Sequence, residues 1–186
     1  MKTLLALALL SSVAVAAPKK YHFELTAVTP KPEVKPEMAK IAQPIVESRI
    51  KKTFETNPQL VPTLDGAPDP KTSADAYRKF LTKKGISGAY LVTVEVTEAN
   101  MELVPVDDKP NTQRLSVHLA IHVLGETIPG RTMGFTGDGQ ATIKQEIGKT
   151  LRDKDRDFTW DAAAETAVND AMKTCFAQLA KPAHKP

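Results

Sequence analysis

Tyr90-Leu-Val-Thr-Val-Glu-Val-Thr97 and Leu115-Ser-Val-His-Leu-Ala-Ile-His-Val123 are the stretches that decide the fold. In the first, Tyr90, Val92, Val94 and Val96 alternate with Leu91, Thr93, Glu95 and Thr97. In the second, Leu115, Val117, Leu119, Ile121 and Val123 recur at every other position. A period of two is the mark of a β-strand with one buried face. The turn-like Asp107-Asp-Lys-Pro-Asn111 between them predicts an antiparallel pair. Residues 131–143 extend the meander as a third strand. Gly134, Gly137 and Gly139 weaken that strand and read as bulges or a close approach of backbone.

Upstream, Tyr21, Phe23, Leu25 and Ala27 alternate with His22, Glu24 and Thr26, a half-buried strand over 20–28. Pro30, Pro32 and Pro36 make 29–36 an extended connector. Met38, Ala42, Ile45, Val46, Ile50 and Phe54 recur at helical spacing, which predicts a helix over 37–55 interrupted by Pro44: either a longer helix kinked there with a weak first part, the favoured reading, or one that starts at Pro44. Leu60 to Leu64 reads as a short strand and 65–70 as a loop. A second helix spans 73–84, with Thr72 and Asp75 in a capping-box pattern and Gly85 at the C-terminal cap. The polar run 144–157 reads as a flap or loop. A last helix runs over 160–180, with Thr159 as N-cap, Pro182 as stop, and a stripe of Ala164, Ala167, Val168, Ala171, Met172, Cys175 and Leu179. The order β-α-β-α-β-β-β-α gives an α/β, or α+β layered, domain. About three helices pack on a mostly antiparallel sheet of about five strands, because a helix with one apolar stripe needs a sheet to lie on.

The N-terminus carries an address. Lys2, the apolar run Leu4 to Leu10, and Ala14-Val15-Ala16 form the pattern of an export signal cleaved after Ala16. The run is far shorter than the roughly 20 residues that span a bilayer. No cysteine follows it to carry a lipid. The expected product is one domain over 17–182 with a tail at 183–186, exported to the periplasm or beyond, with no stable membrane anchor. Cys175 is the only cysteine, so no intramolecular disulfide forms, and its place on the apolar stripe predicts a buried thiol. The net charge of +3 is spread along the chain with no basic cluster, which argues against a nucleic-acid partner.

A further likeness lies in Ala74-Asp-Ala-Tyr-Arg-Lys-Phe-Leu-Thr-Lys-Lys-Gly-Ile-Ser-Gly-Ala-Tyr-Leu-Val92, a helix, glycine cap and strand, followed by the long alternating strand and an Ala-rich helix. Over residues 20–180 this pattern resembles the small α/β domain of bacterial envelope accessory proteins: the N-terminal domain of TolB, the penicillin-binding-protein activators and the curli secretion protein CsgG. The resemblance implies a non-catalytic, partner-binding role. Most such proteins in the outer membrane are lipoproteins, and this chain lacks their lipid-carrying cysteine.

No residue set reads as catalytic, cofactor-binding or metal-binding, and no cofactor is implied. His118 and His122 sit four apart on a strand, about 13 Å from each other and too far to share a metal ion. Asp153, Asp155, Asp157 and Asp161 have the spacing of a calcium loop, but Phe158 and Ala164 stand where glycine and glutamate are needed. Ser48-Arg-Ile-Lys51 matches one motif of penicillin-recognising enzymes without its companions. What remains is a surface. Leu91, Thr93, Glu95, His118, Ala120 and His122 form the second, mixed face of the central strands, a candidate face for binding another envelope or extracellular protein. The alternatives are a small-ligand or cation-binding protein using that face or the 144–161 segment, and, behind these, a hydrolytic enzyme.

Overall fold

The computed structural model describes residues 18–181; the export segment, its cleavage point after Ala16, Pro182 and the tail lie outside them. Seven elements follow in order: β1 (Lys20–Pro30), α1 (Pro36–Thr56), α2 (Ala74–Lys83), β2 (Ile86–Pro105), β3 (Gln113–Thr127), β4 (Met133–Ile147) and α3 (Asp153–Ala180). The sheet has the order β1-β2-β3-β4. β2, β3 and β4 form the antiparallel meander, and β1 pairs parallel to β2. Parallel neighbours need a crossover, which α1 and α2 supply. The layered α+β class is as read from sequence, but the described sheet has four strands rather than five, and it is mixed.

Three differences have local causes. The expected strand at 60–64 is a single bridge from Leu60 to Tyr21. The next acceptor of that ladder, the Val61 carbonyl, instead takes the His22 ring N–H at 2.7 Å, and Pro62 sits at a bend. The polar run 144–157 is mostly regular structure, with β4 continuing to Ile147 and α3 beginning at Asp153. Its charges are those of a strand's exposed face and a helix's first turns. Thr159 is therefore not an N-cap. It is buried within α3, donates to the Asp155 carbonyl at 2.7 Å and lies 2.9 Å from the Gln145 side-chain oxygen. Arg152 forms two hydrogen bonds to Asp155, at 2.7 and 3.0 Å, and holds its carboxylate below the usual range. Asp153 and Asp155 also suit the positive end of the helix dipole.

α1 runs unbroken through Pro44, which faces solvent, because Ala42, Val46, Ile50 and Phe54 hold both halves against the sheet. α2 is capped at Ser73 without a side-chain hydrogen bond, so the Thr72–Asp75 box does not form; Gly85, at φ +69°, does end the helix in the left-handed region.

α1 and α3 lie on one face of the sheet, over Val92, Val94, Val96, Leu115, Val117, Leu119, Ile121 and Val123. α3 comes closest. A Cβ at Gly139 would collide with the Ala167 carbonyl oxygen, and one at Gly137 with Cys175 Sγ and the Ala171 carbonyl. The glycines of the third strand are thus seats for a helix backbone. Ala163, Ala164, Ala167 and Ala171, all fully buried, are its matching small residues. At the other end Phe23 stacks on Phe135 (5.0 Å between centroids) and Phe176 (5.8 Å), and Phe54 meets it edge-on. Arg49 joins the two helices. Its Nε donates to Asp161 at 2.6 Å, a second guanidinium N–H bonds the same carboxylate, and a third reaches Glu165 at 3.0 Å.

Gly139→Ala is expected to destabilise the fold by about 1–3 kcal/mol, the usual cost of overpacking, seen as a lower urea midpoint at unchanged slope. Gly148→Ala, with open space around it, should leave the midpoint within about 0.5 kcal/mol. Cys175 is fully buried and its thiol is pushed up to about 12 by desolvation. It should react with a thiol reagent ~100-fold or more slowly in native buffer than in denaturant, since the thiolate is the nucleophile. Equal rates would place it at the surface.

Candidate functional site

The face of the sheet opposite α1 and α3 carries the residues singled out from sequence. α2 covers only one end of it, packing Tyr77 and Leu81 on Ile86 and Ala89 in a second, smaller apolar cluster. Beyond that end no helix of the described residues lies on it. Leu91, Thr93, Glu95, His118, Ala120 and His122 are all half-buried, as expected of side chains standing side by side on an open sheet.

Register sets their neighbours. Leu91 pairs with Glu126, Thr93 with Leu124, and Glu95 with His122. On the far side of β3, His122 pairs with Asp138, Ala120 with Gln140 and His118 with Thr142. The surface is therefore three strands wide, and β4 contributes a row that the sequence reading did not include. Two bulges shape it. One falls between Val96 and Glu98, so that Glu98, not Thr97, pairs with Ala120 on the open side. The other falls between Leu25 and Ala27 of β1 and moves Ala27 from the core side, where strict alternation placed it, to a position beside Thr93 on the open side; Val28 takes its place in the core.

Each histidine is held by its cross-strand partners. His122 Nδ1 donates to Asp138 at 2.7 Å. His118 donates through Nε2 to Glu98 at 3.1 Å, and its Nδ1 lies 2.8 Å from the Thr142 hydroxyl. A carboxylate can only accept, which assigns these roles. Each ring is thus committed to partners of its own. Glu95 has only a loose ion pair with Lys31, at 3.7 Å. Three carboxylates, Glu95, Glu98 and Asp138, thus share the centre of the face, the first beside Lys31 and the others beside His118 and His122.

Beside that acidic centre, toward α2, a groove of about 680 Å³ opens. Leu91, Ile128, Pro129 and Pro70 give it apolar walls, and Glu24, Asp69, Lys71 and Arg131 stand among its lining. Arg131 is paired with Glu126 at 2.7 Å. The groove joins the loop before α2 to the turn between β3 and β4, segments some 60 residues apart in sequence, so only Leu91 was visible beforehand as part of a surface.

The other motifs fall elsewhere. Ser48 is exposed, and Lys51 is taken up by Glu47, one turn earlier on α1, at 2.6 Å. Asp153, Asp155, Asp157 and Asp161 each face an arginine: Arg156, Arg152, Arg156 and Arg49. Among the described residues no helix is long and apolar enough to cross a membrane.

No protein-family model matches the sequence, and no curated protein matches it. Solved structures similar to the chain include the hypothetical protein CT253 of Chlamydia trachomatis, at 14% identity and TM-score 0.38 over 87% of this chain and 93% of that one. A minor lipoprotein of Acinetobacter baumannii matches at 12% identity and TM-score 0.39, over 89% and 98% of the two chains. The rare lipoprotein B of Shewanella oneidensis matches at 9% identity and TM-score 0.37, over 81% and 92%. None of the three is described as a TolB, penicillin-binding-protein activator or CsgG protein, so that resemblance stands on the sequence pattern alone.

Proposed function

We propose that this chain is an exported accessory protein of the bacterial envelope that binds another protein through the open face of its sheet and carries out no chemistry of its own. The observation that carries the reading is the face itself. Both helices long enough to cover it pack on the opposite side. Leu91, Ala120 and Leu124 remain half-exposed among polar neighbours, and apolar area left on a sheet marks an interaction site more often than chance. The histidine–carboxylate pairs give that surface a fixed shape. The export pattern ending at Ala16 and the resemblance to envelope accessory domains supply the address.

A binding face tolerates substitution that a core does not. Ala120→Lys and His122→Lys are expected to keep the wild-type melting temperature within about 3 °C, as surface changes of a domain this size do. Both should lose the protein that co-purifies with the tagged chain from its native host. Loss of folding in either variant, or retention of the partner by both, would remove the face from consideration.

A further inference from the structure

Resting on that docking reading, we infer the chemistry of the partner: a cationic protein segment anchored by one large apolar side chain. Two neighbouring features carry it. The centre of the open face holds Glu95, Glu98 and Asp138, whose side chains are 40, 62 and 80% exposed; Glu95 pairs loosely with Lys31, and the other two meet the rings of His118 and His122. Exposed like charges on one sheet face repel one another, and a partner that brings lysine or arginine relieves that repulsion. Next to this centre lies the groove walled by Leu91, Ile128 and Pro129, whose Arg131 is paired with Glu126. A pocket in the range of about 300–1,000 Å³ with apolar walls accepts a buried side chain, the usual site of an interface hot spot.

The strand register turns these features into a spacing. Leu91 and Glu95 lie four residues apart on β2, a separation of about 13 Å at the rise of a strand. An extended segment lying along β2 would place its first cation four residues from its apolar anchor. The bulge at Thr97 brings Glu98 onto the same face, so a second cation is met close behind the first. A second copy of this chain is disfavoured as the occupant, because two such faces would set carboxylates against carboxylates.

The test uses a synthetic peptide in which one leucine is followed by lysine four and six residues on in a serine and threonine background. Its partners are the same peptide with glutamate for lysine, and one with serine for leucine. Titrated into the isotope-labelled chain, the leucine–lysine peptide should shift amide resonances of Leu91, Glu95, Glu98 and Asp138, and lose its affinity as salt is raised. Glu98→Lys with Asp138→Lys should weaken it about tenfold, the effect of losing two exposed pairs and adding repulsion, and should transfer binding to the glutamate peptide. Leu91→Ser should weaken the leucine peptide toward the level of the serine one. Equal binding of the acidic peptide, shifts confined to other surfaces, or the same shifts produced by concentration alone, which marks self-association, would each overturn the proposal. If the peptide fails to bind while Ala120→Lys still strips the co-purifying protein, the docking face stands and only the partner's chemistry is wrong.

Discussion

The close seating of α3 on β4 is the contact on which the rest of the molecule depends. Gly137 and Gly139 have no side chain toward the helix, and Ala167 and Ala171 present backbone to them. Any larger residue on either side would lift the helix and open a gap over Leu119 and Ile121, where close packing is what stabilises a core. This approach also decides direction. On a strand with small residues at alternate positions, one face must take the helix. The intervening residues, Asp138, Gln140 and Thr142, are then left pointing the other way. The covered face and the open face are two consequences of one alternation.

How far this was legible can be argued residue by residue. The alternations at 90–97 and 115–123 gave both strands and their inner faces, since a two-residue period admits no other arrangement with one buried side. The long first helix and its continuation through Pro44 followed from the apolar stripe. What failed to show was non-local. The parallel placement of β1 depends on a crossover whose geometry no short window contains. The two bulges, at Thr26 and Thr97, each reverse the face of the residues beyond them, and a window counting strict alternation passes over them. The start of α3 was misjudged because the acidic and basic residues of 153–157 look like a solvated loop; paired as Arg152–Asp155 and Arg156–Asp153, they are a helix's first turns.

The candidate face was half visible. Two of its three strands were named from sequence, but β4 was discounted because its glycines were taken as weakness. The signal was present in Gly137-Asp-Gly139-Gln-Ala141, where small residues hold every other place. That spacing predicts a helix on the small side and a polar row on the other, and so brings Asp138 beside His122. The groove could not have been found this way, since 69–71 and 128–131 meet only through the tertiary fold.

The β1 edge and the overhang of β2 favour the proposed docking on the face over addition of a strand there. An unguarded edge is a template for pairing. Here β1 is closed at Tyr21 by the Leu60 bridge, and at Val28 by Gln43, whose side-chain amide donates to the Val28 carbonyl at 2.7 Å. Between these points the Thr26 bulge breaks the regular run of donors and acceptors. On β4 the outward N–H of Thr136 is taken by the Gln178 side chain at 3.0 Å. The stretch of β2 beyond Val96, which has no strand on its outer side, starts at a bulge, carries Glu98 and Glu102, and ends at Pro105. Bulges, charge and proline all discourage strand addition. With the β1 edge and this overhang guarded, the open face between the groove and the two histidines is left as the broad surface on which the proposed docking falls.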